Sequence, residues 1–178
     1  MINKEDIRIR IRIYDEESQN YLYGYINSKG EEIIAPQFEL AGDFTEGFAA
    51  VGDEDKMGYI DINGNWVIEK IYDDAGEFSE GLAPVLKEGK WGYIDINGNT
   101  VIAHQYDTAF MFSDGVAEVS VDDKYGFIDK TGKAVVPLQY DYADSQFSYN
   151  GYISMGADGE TICYDISGNK IWPKENCL

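Results

Sequence analysis

The 178-residue chain carries 33 acidic against 14 basic residues, a net charge of −19. Its apolar share of 44%, with 14 Tyr, 8 Phe and 3 Trp, is enough for a real core and excludes a disordered acidic tail. The charge excludes direct nucleic-acid binding, which needs a basic surface, and disfavours an anionic membrane surface.

The charge is uneven. Lys4, Arg8, Arg10 and Arg12 stand in the first 13 residues against Glu5 and Asp6, while the other 165 hold ten lysines, no arginine and 31 acids. A basic partner, divalent cations or plain solubility would suit such a surface. No apolar run has the length of a membrane span, and the stretch from Met1 to Asp6 lacks a hydrophobic signal region. The expected location is the cytoplasm. Two cysteines make no disulfide framework. Cys163 stands where other units have Tyr59, Tyr93 and Phe127, the place of a buried free thiol.

In chain order, Ile7-Arg8-Ile9-Arg10-Ile11-Arg12-Ile13 comes first and alternates strictly. Period two predicts a half-buried strand with isoleucines on one face and arginines on the other. We expect it to cap an array, its arginines forming a polar outer face that guards an exposed edge. A basic stripe for an acidic ligand is the competing reading. Residues 15–20 then turn the chain into residues 21–26.

From there one unit keeps returning. Asn27-Ser28-Lys29-Gly30, Asp61-Ile62-Asn63-Gly64, Asp95-Ile96-Asn97-Gly98, Asp129-Lys130-Thr131-Gly132 and Asp165-Ile166-Ser167-Gly168 begin 34, 34, 34 and 36 residues apart. A fixed period of this size signifies stacked supersecondary units. Each unit reads as a strand (48–51, 82–86, 116–121), a polar turn (53–56, 87–90, 122–124), a second strand (57–60, 91–94, 125–128), the Asp-x-x-Gly turn and a third strand. In that turn Asp or Asn bonds back to the backbone, and Gly supplies the left-handed residue of a type I turn with a G1 bulge. Asn27, Gly30, Asp61, Gly64, Asp95, Gly98, Asp129, Gly132, Asp165 and Gly168 are therefore read as structural.

After the third strand come Phe38, Tyr72, Tyr106 or Tyr140, each followed by an acid, then Ala41, Ala75, Ala109 or Ala143. Phe44, Phe78, Phe112 and, after a two-residue insertion, Phe147 follow. Thr45-Glu46-Gly47 and its equivalents then restart the next strand. This stretch alternates poorly and predicts a compact loop or one helical turn. The reading gives one domain over 1–178: a capping segment 1–20, repeats at about 21–54, 55–88, 89–122, 123–158 and 159–173, and a tail 174–178.

The third unit, from Gly81 to Gly115, runs Gly81-Leu82-Ala83-Pro84-Val85, then Lys90-Trp91-Gly92-Tyr93-Ile94-Asp95, Gly98, Val101-Ile102 and Tyr106-Asp107, and Phe78-Ser79-Glu80 precede it. With its period, this motif resembles the WG (KWG) repeat, a bacterial repeat family, over about residues 21–172. The chain departs from the pattern where Tyr23, Met57 and Tyr125 replace the Trp and where Thr161-Ile162 replaces Trp-Gly. The resemblance implies β-rich repeats and no catalytic residues. The expected fold is all-β: three short antiparallel strands and a connector per unit, stacked in a curved open array. A small closed propeller is the alternative, although its blades of about 40–45 residues exceed this unit.

No catalytic constellation stands out among the residues. Asp-x-Asn-Gly-Asn at Asp61 and Asp95 starts like a calcium loop but has no distal bidentate Glu, so the hairpin reading is preferred. His104, the single histidine, stands where other units have Pro36, Lys70 and Leu138, and is expected to face solvent or an edge. The recurrent aromatics read as core, with exposed platforms for sugars or choline-like ligands as the alternative. The candidate partner-binding residues are Asp53, Glu54, Asp55, Asp73, Asp74, Asp122 and Asp123, the acids grouped in turns and connections. The expected function is a non-catalytic protein–protein interaction module that needs no cofactor or metal. An acidic inhibitor, mimicking nucleic acid towards a basic partner, is the alternative, and a ligand- or calcium-binding repeat comes third.

Overall fold

The computed structural model describes residues 7–144, 152–157 and 160–171. Every regular element among them is a β-strand. The first sheet orders β1 (Ile9–Asp15), β2 (Asn20–Ile26) and β3 (Glu32–Phe38) as an antiparallel meander. Each later sheet gains a short leading strand. The second holds β4 (Leu40–Ala41), β5 (Phe48–Gly52), β6 (Met57–Asp61) and β7 (Trp66–Tyr72). The third holds β8 (Asp74–Ala75), β9 (Leu82–Lys87), β10 (Lys90–Asp95) and β11 (Thr100–Tyr106). The fourth holds β12 (Thr108–Ala109), β13 (Val116–Val121), β14 (Lys124–Asp129) and β15 (Ala134–Tyr140). The fifth holds β16 (Tyr142–Asp144), β17 (Tyr152–Ala157), β18 (Glu160–Asp165) and β19 (Lys170–Ile171).

The sheets stack as an open array. Four apolar clusters form the core, and each joins two sheets consecutive in sequence. The cluster between the second and third sheets, for example, sets Tyr59, Ile68 and Tyr72 against Phe78, Val85 and Ile94. An interior sheet is thus buried on both faces, which is why residues 48–52 and 82–86 are almost continuously apolar.

The connectors correct one expectation. No helical turn occurs among the described residues; the alanine sits in a two-residue strand, as in the pairs Leu40↔Gly52 and Ala41↔Val51. Phe147 and the insertion around it lie outside the described residues.

A second correction concerns the cap. Arg10 stands opposite Tyr25, whose ring is fully buried against the second sheet, so the arginine face turns inward. Arg8 Nε donates to Ile62 O at 2.9 Å, Arg10 pairs with Asp43 at 3.5 Å, and the Arg12 guanidinium lies 4.4 Å from the Tyr21 ring centre. Ile9 and Ile13 face outward, 46% and 52% exposed. Alternation defined the two faces, but the long arginine stems of Arg8 and Arg10 reach Ile62 O, Ala41 O and Asp43 of the second sheet, which suits that face to turning in.

Cys163 is buried but not free, since it is disulfide-bonded. The other cysteine, Cys177, lies outside the described residues.

The glycine after the Trp position has a mechanical reason. Met57 pairs with Tyr72 and Tyr59 with Ile68, so β7 carries two extra residues across this stretch of β6 and bulges over it. A Cβ on Gly58 would lie 2.6 Å from Ile68 O. Gly24, Gly92 and Gly126 meet the same backbone crossing at 2.5, 2.7 and 2.6 Å. Only glycine lets the bulged strand pass.

Candidate functional site

The seams between sheets bring the chain's polar chemistry together, and they repeat. Each hairpin turn of the Asp-x-x-Gly type is internally satisfied. Asp61 Oδ1 accepts the Asn63 and Asn65 amides at 2.9 Å, its Oδ2 accepts Asn65 Nδ2 at 3.0 Å, and Gly64 takes φ +85°. The Asn65 side chain leads the bonds that hold the Asp61 carboxyl below its usual range. These oxygens are spent on the turn, and no cluster of three or more His, Cys, Asp or Glu with metal-binding geometry occurs among the described residues.

At the interior seams a lysine at or next to the start of β6, β10 or β14 reaches the acid that follows β7, β11 or β15. Lys56 pairs with Asp73, Lys90 with Asp107 at 2.5 Å, and Lys124 with Asp141 at 2.6 Å. The second oxygen of that acid caps the hairpin of the next sheet: Asp73 accepts the Glu88 amide at 2.8 Å, and Asp107 the Asp122 amide at 2.7 Å. The lysine bond comes first among the causes that lower the Asp73 and Asp107 carboxyls.

Two more ladders cross the seams. The buried Tyr25, Tyr59 and Tyr93 hydroxyls donate to the connector carbonyls of Gly42, Gly76 and Phe110 at 2.7, 2.7 and 2.8 Å. Burial pushes all three phenols far up. Glu46 accepts the Gly81 amide at 2.9 Å and Glu80 the Gly115 amide at 3.1 Å, one repeat onward. Burial raises the Glu80 carboxyl, but Lys130 at 2.9 Å and the Gly115 amide outweigh it and the net shift is downward. Sequence reading missed this ladder; its signal was a glutamate before glycine at a 34-residue spacing.

The acids singled out from the sequence part company here. Asp53 Oδ1 accepts the Asp55 and Lys56 amides at 3.1 and 3.0 Å while its Oδ2 pairs with Lys70. Asp74 accepts the Ala75 amide at 2.8 Å, and Asp73 belongs to the seam ladder. Asp122 and Asp123, at φ +50° and +58°, make the two-residue turn between β13 and β14, which a short carboxylate side chain tolerates. Glu54, Asp55, Asp122 and Asp123 are exposed, on corresponding hairpins two sheets apart.

His104 departs from its expected exposure. It is half-buried in the seam between the second and third sheets, stacks on Tyr72 at 6.5 Å, and its buried Nε2 has no hydrogen-bond partner. Burial, then nearby Lys87, holds the imidazole below its usual pKa.

The first seam breaks the pattern. Leu22 stands where the seam lysines are, Glu39 where their aspartates are, and Trp66 where Thr100 and Ala134 are. A cavity of about 310 Å³ opens there, lined by these residues with Phe38, Gly52 and the Asp53–Lys70 pair. Trp66 meets Phe38 edge-on at 6.0 Å and remains 43% exposed.

No helix among the described residues is long and apolar enough to cross a membrane. No curated protein is significantly similar to the chain. Among solved structures it is similar to a protein of unknown function from Bacteroides caccae, at 17% identity over 85% of this chain and 76% of that one, with a TM-score of 0.37. The WG containing repeat matches four times in succession, at residues 23–56, 57–91, 91–125 and 125–155. The chain belongs to the family built from that repeat.

Proposed function

We propose that this chain is a non-catalytic module for protein–protein interaction. The observation that carries the reading is a pair of apolar side chains the fold does not use. The connectors of the second and third sheets have Gly42-Asp43 and Gly76-Glu77 where the fourth has Phe110-Met111, 50% and 45% exposed. Isolated exposed apolar residues are ordinary, but two adjacent ones replacing glycine and an acid in a repeat are surplus to folding. Repeat arrays offer extended surfaces of this kind.

The test is affinity capture from lysate of the source organism, with the wild-type chain and with Phe110→Gly/Met111→Glu. We expect a partner that survives a high-salt wash and is lost with the variant. A partner bound equally by both chains would remove the apolar pair from the reading.

A basic partner is the second reading, supported by the exposed Glu54, Asp55, Asp122 and Asp123 on corresponding hairpins and by the net charge of −19. It requires capture at low salt that disappears at high salt. A cytoplasmic setting is part of the proposal. The Cys163 disulfide stands against that setting, because a reducing compartment keeps such bonds open. Labelling of free thiols in intact cells decides: a labelled Cys163 would support the cytoplasmic setting, and an unlabelled, bonded Cys163 would overturn it.

A further inference from the structure

We propose that the cavity at the first seam is a socket for a primary alkylammonium, the lysine side chain of a partner protein. The proposal rests on the interaction reading and adds the chemistry that one contact would take. The fold itself displays the occupant three times. At Asp73, Asp107 and Asp141 the carboxylate after the third strand receives the ammonium of the repeat's own lysine. At the first seam Glu39 holds the carboxylate position, and Leu22 supplies no ammonium.

The space beside Glu39 is not closed by other means. Among the described residues Glu39 accepts only the Glu54 amide, at 3.4 Å. Lys70 also lines the cavity, but Asp53 holds it. Gly52 replaces Leu86 and Ser120 of the later sheets, so no side chain fills the space beside Glu39. Trp66 adds an indole wall where Thr100 and Ala134 would offer none. An alkylammonium uses all of these features: its charge meets the carboxylate, its methylenes lie on the ring, and the ring face attracts the cation. A sugar would use the indole but leaves unexplained why a lysine, of all residues, is the one replaced.

The test follows the Trp66 indole N–H resonance, assigned with Trp66→Phe, during titration with the peptide Ac-Gly-Lys-Gly-NH2, its Nε-acetylated form, and 1,5-diaminopentane. We expect saturable shifts with the peptide and at least about tenfold weaker binding once the ammonium is acetylated or Glu39→Gln removes the charge. Leu22→Lys should install the internal lysine, raise the melting temperature and abolish binding. Equal binding of the acetylated peptide, or undiminished binding by Leu22→Lys, would overturn the proposal. Binding of the diamine without the peptide would overturn the protein source. None of these outcomes depends on Phe110 and Met111, so the socket and the interaction reading can fail separately.

Discussion

The first and third seams are built on the same positions and end differently. At the third, between the third and fourth sheets, Lys90 meets Asp107 and Ser120 occupies the place next to the acid. At the first, Leu22, Glu39 and Gly52 leave that place open beside Trp66. The backbone crossings within the two sheets are nevertheless the same: a Cβ on Gly24 or Gly92 would lie 2.5 or 2.7 Å from the crossing carbonyl. In a repeat protein the shared residues build the frame, and the residues that leave the pattern are free to carry something else.

The largest effect should come from the frame's packed faces. Ile94 is fully buried between the second and third sheets, and its counterpart Ile26 lies half-buried on the outward face of the first. Ile94→Ala should cost about 2–5 kcal/mol in chemical denaturation, and Ile26→Ala about 1 kcal/mol or less. Equal losses would mean that the outward face is covered in solution.

Next come the crossings. Gly92→Ala forces a Cβ against Ile102 O, and Gly24→Ala against Ile34 O. Each should cost about 1–3 kcal/mol, by a similar amount, because the first and third sheets share this geometry. A tolerated Gly24→Ala would show that the first sheet relaxes where the third cannot.

Much of this frame was legible. The 34-residue period and the Asp-x-x-Gly turns follow from local rules, since a turn that needs left-handed glycine announces itself wherever it occurs. Which residues share a sheet was not legible. Residues 40–41 belong to the sheet of 48–72, and a two-residue strand such as Leu40–Ala41 is too short to show itself by alternation. The orientation of the cap was also hidden. Ile7 to Ile13 defines two faces, and only Ile62 O, Ala41 O and Asp43 of the second sheet show that the arginines turn inward. Glycine at 58 and 92 could be seen to recur, but its reason is a bulge in a strand ten or more residues further on. The socket was invisible for another reason: Leu22, Glu39 and Trp66 are unremarkable singly, and they mean something only once the seam places them together.

A smaller effect separates the fourth sheet from its neighbours. Glu118 is 3% exposed where the second and third sheets have Ala50 and Pro84, and burial raises its carboxyl. A raised folded pKa means the native state holds its proton more tightly than the unfolded chain. The stabilising contribution is complete below the ordinary glutamate range and is lost as pH rises through the shifted value. Glu118→Gln should therefore raise the melting temperature at pH 7 by a few degrees and leave it nearly unchanged in acid. A variant equally or less stable at pH 7 would show that the buried carboxylate is compensated.

The smallest expected effect bears most directly on the two seams. Lys90 and Asp107 are 44% and 38% exposed, so water already screens their pair. Lys90→Met keeps the stem on the sheet and leaves Asp107 accepting the Asp122 amide. The loss should be the smallest of the series and shrink in salt. With so small a loss, a seam stands without its lysine, and the open first seam needs no structural compensation. Replacing that lysine by Leu22 would then cost the fold little, and the carboxylate and indole beside the gap would be available for binding. A loss as large as that of Gly92→Ala would mean the opposite: the ammonium holds the seam together, and the first seam must be closed by something other than a ligand.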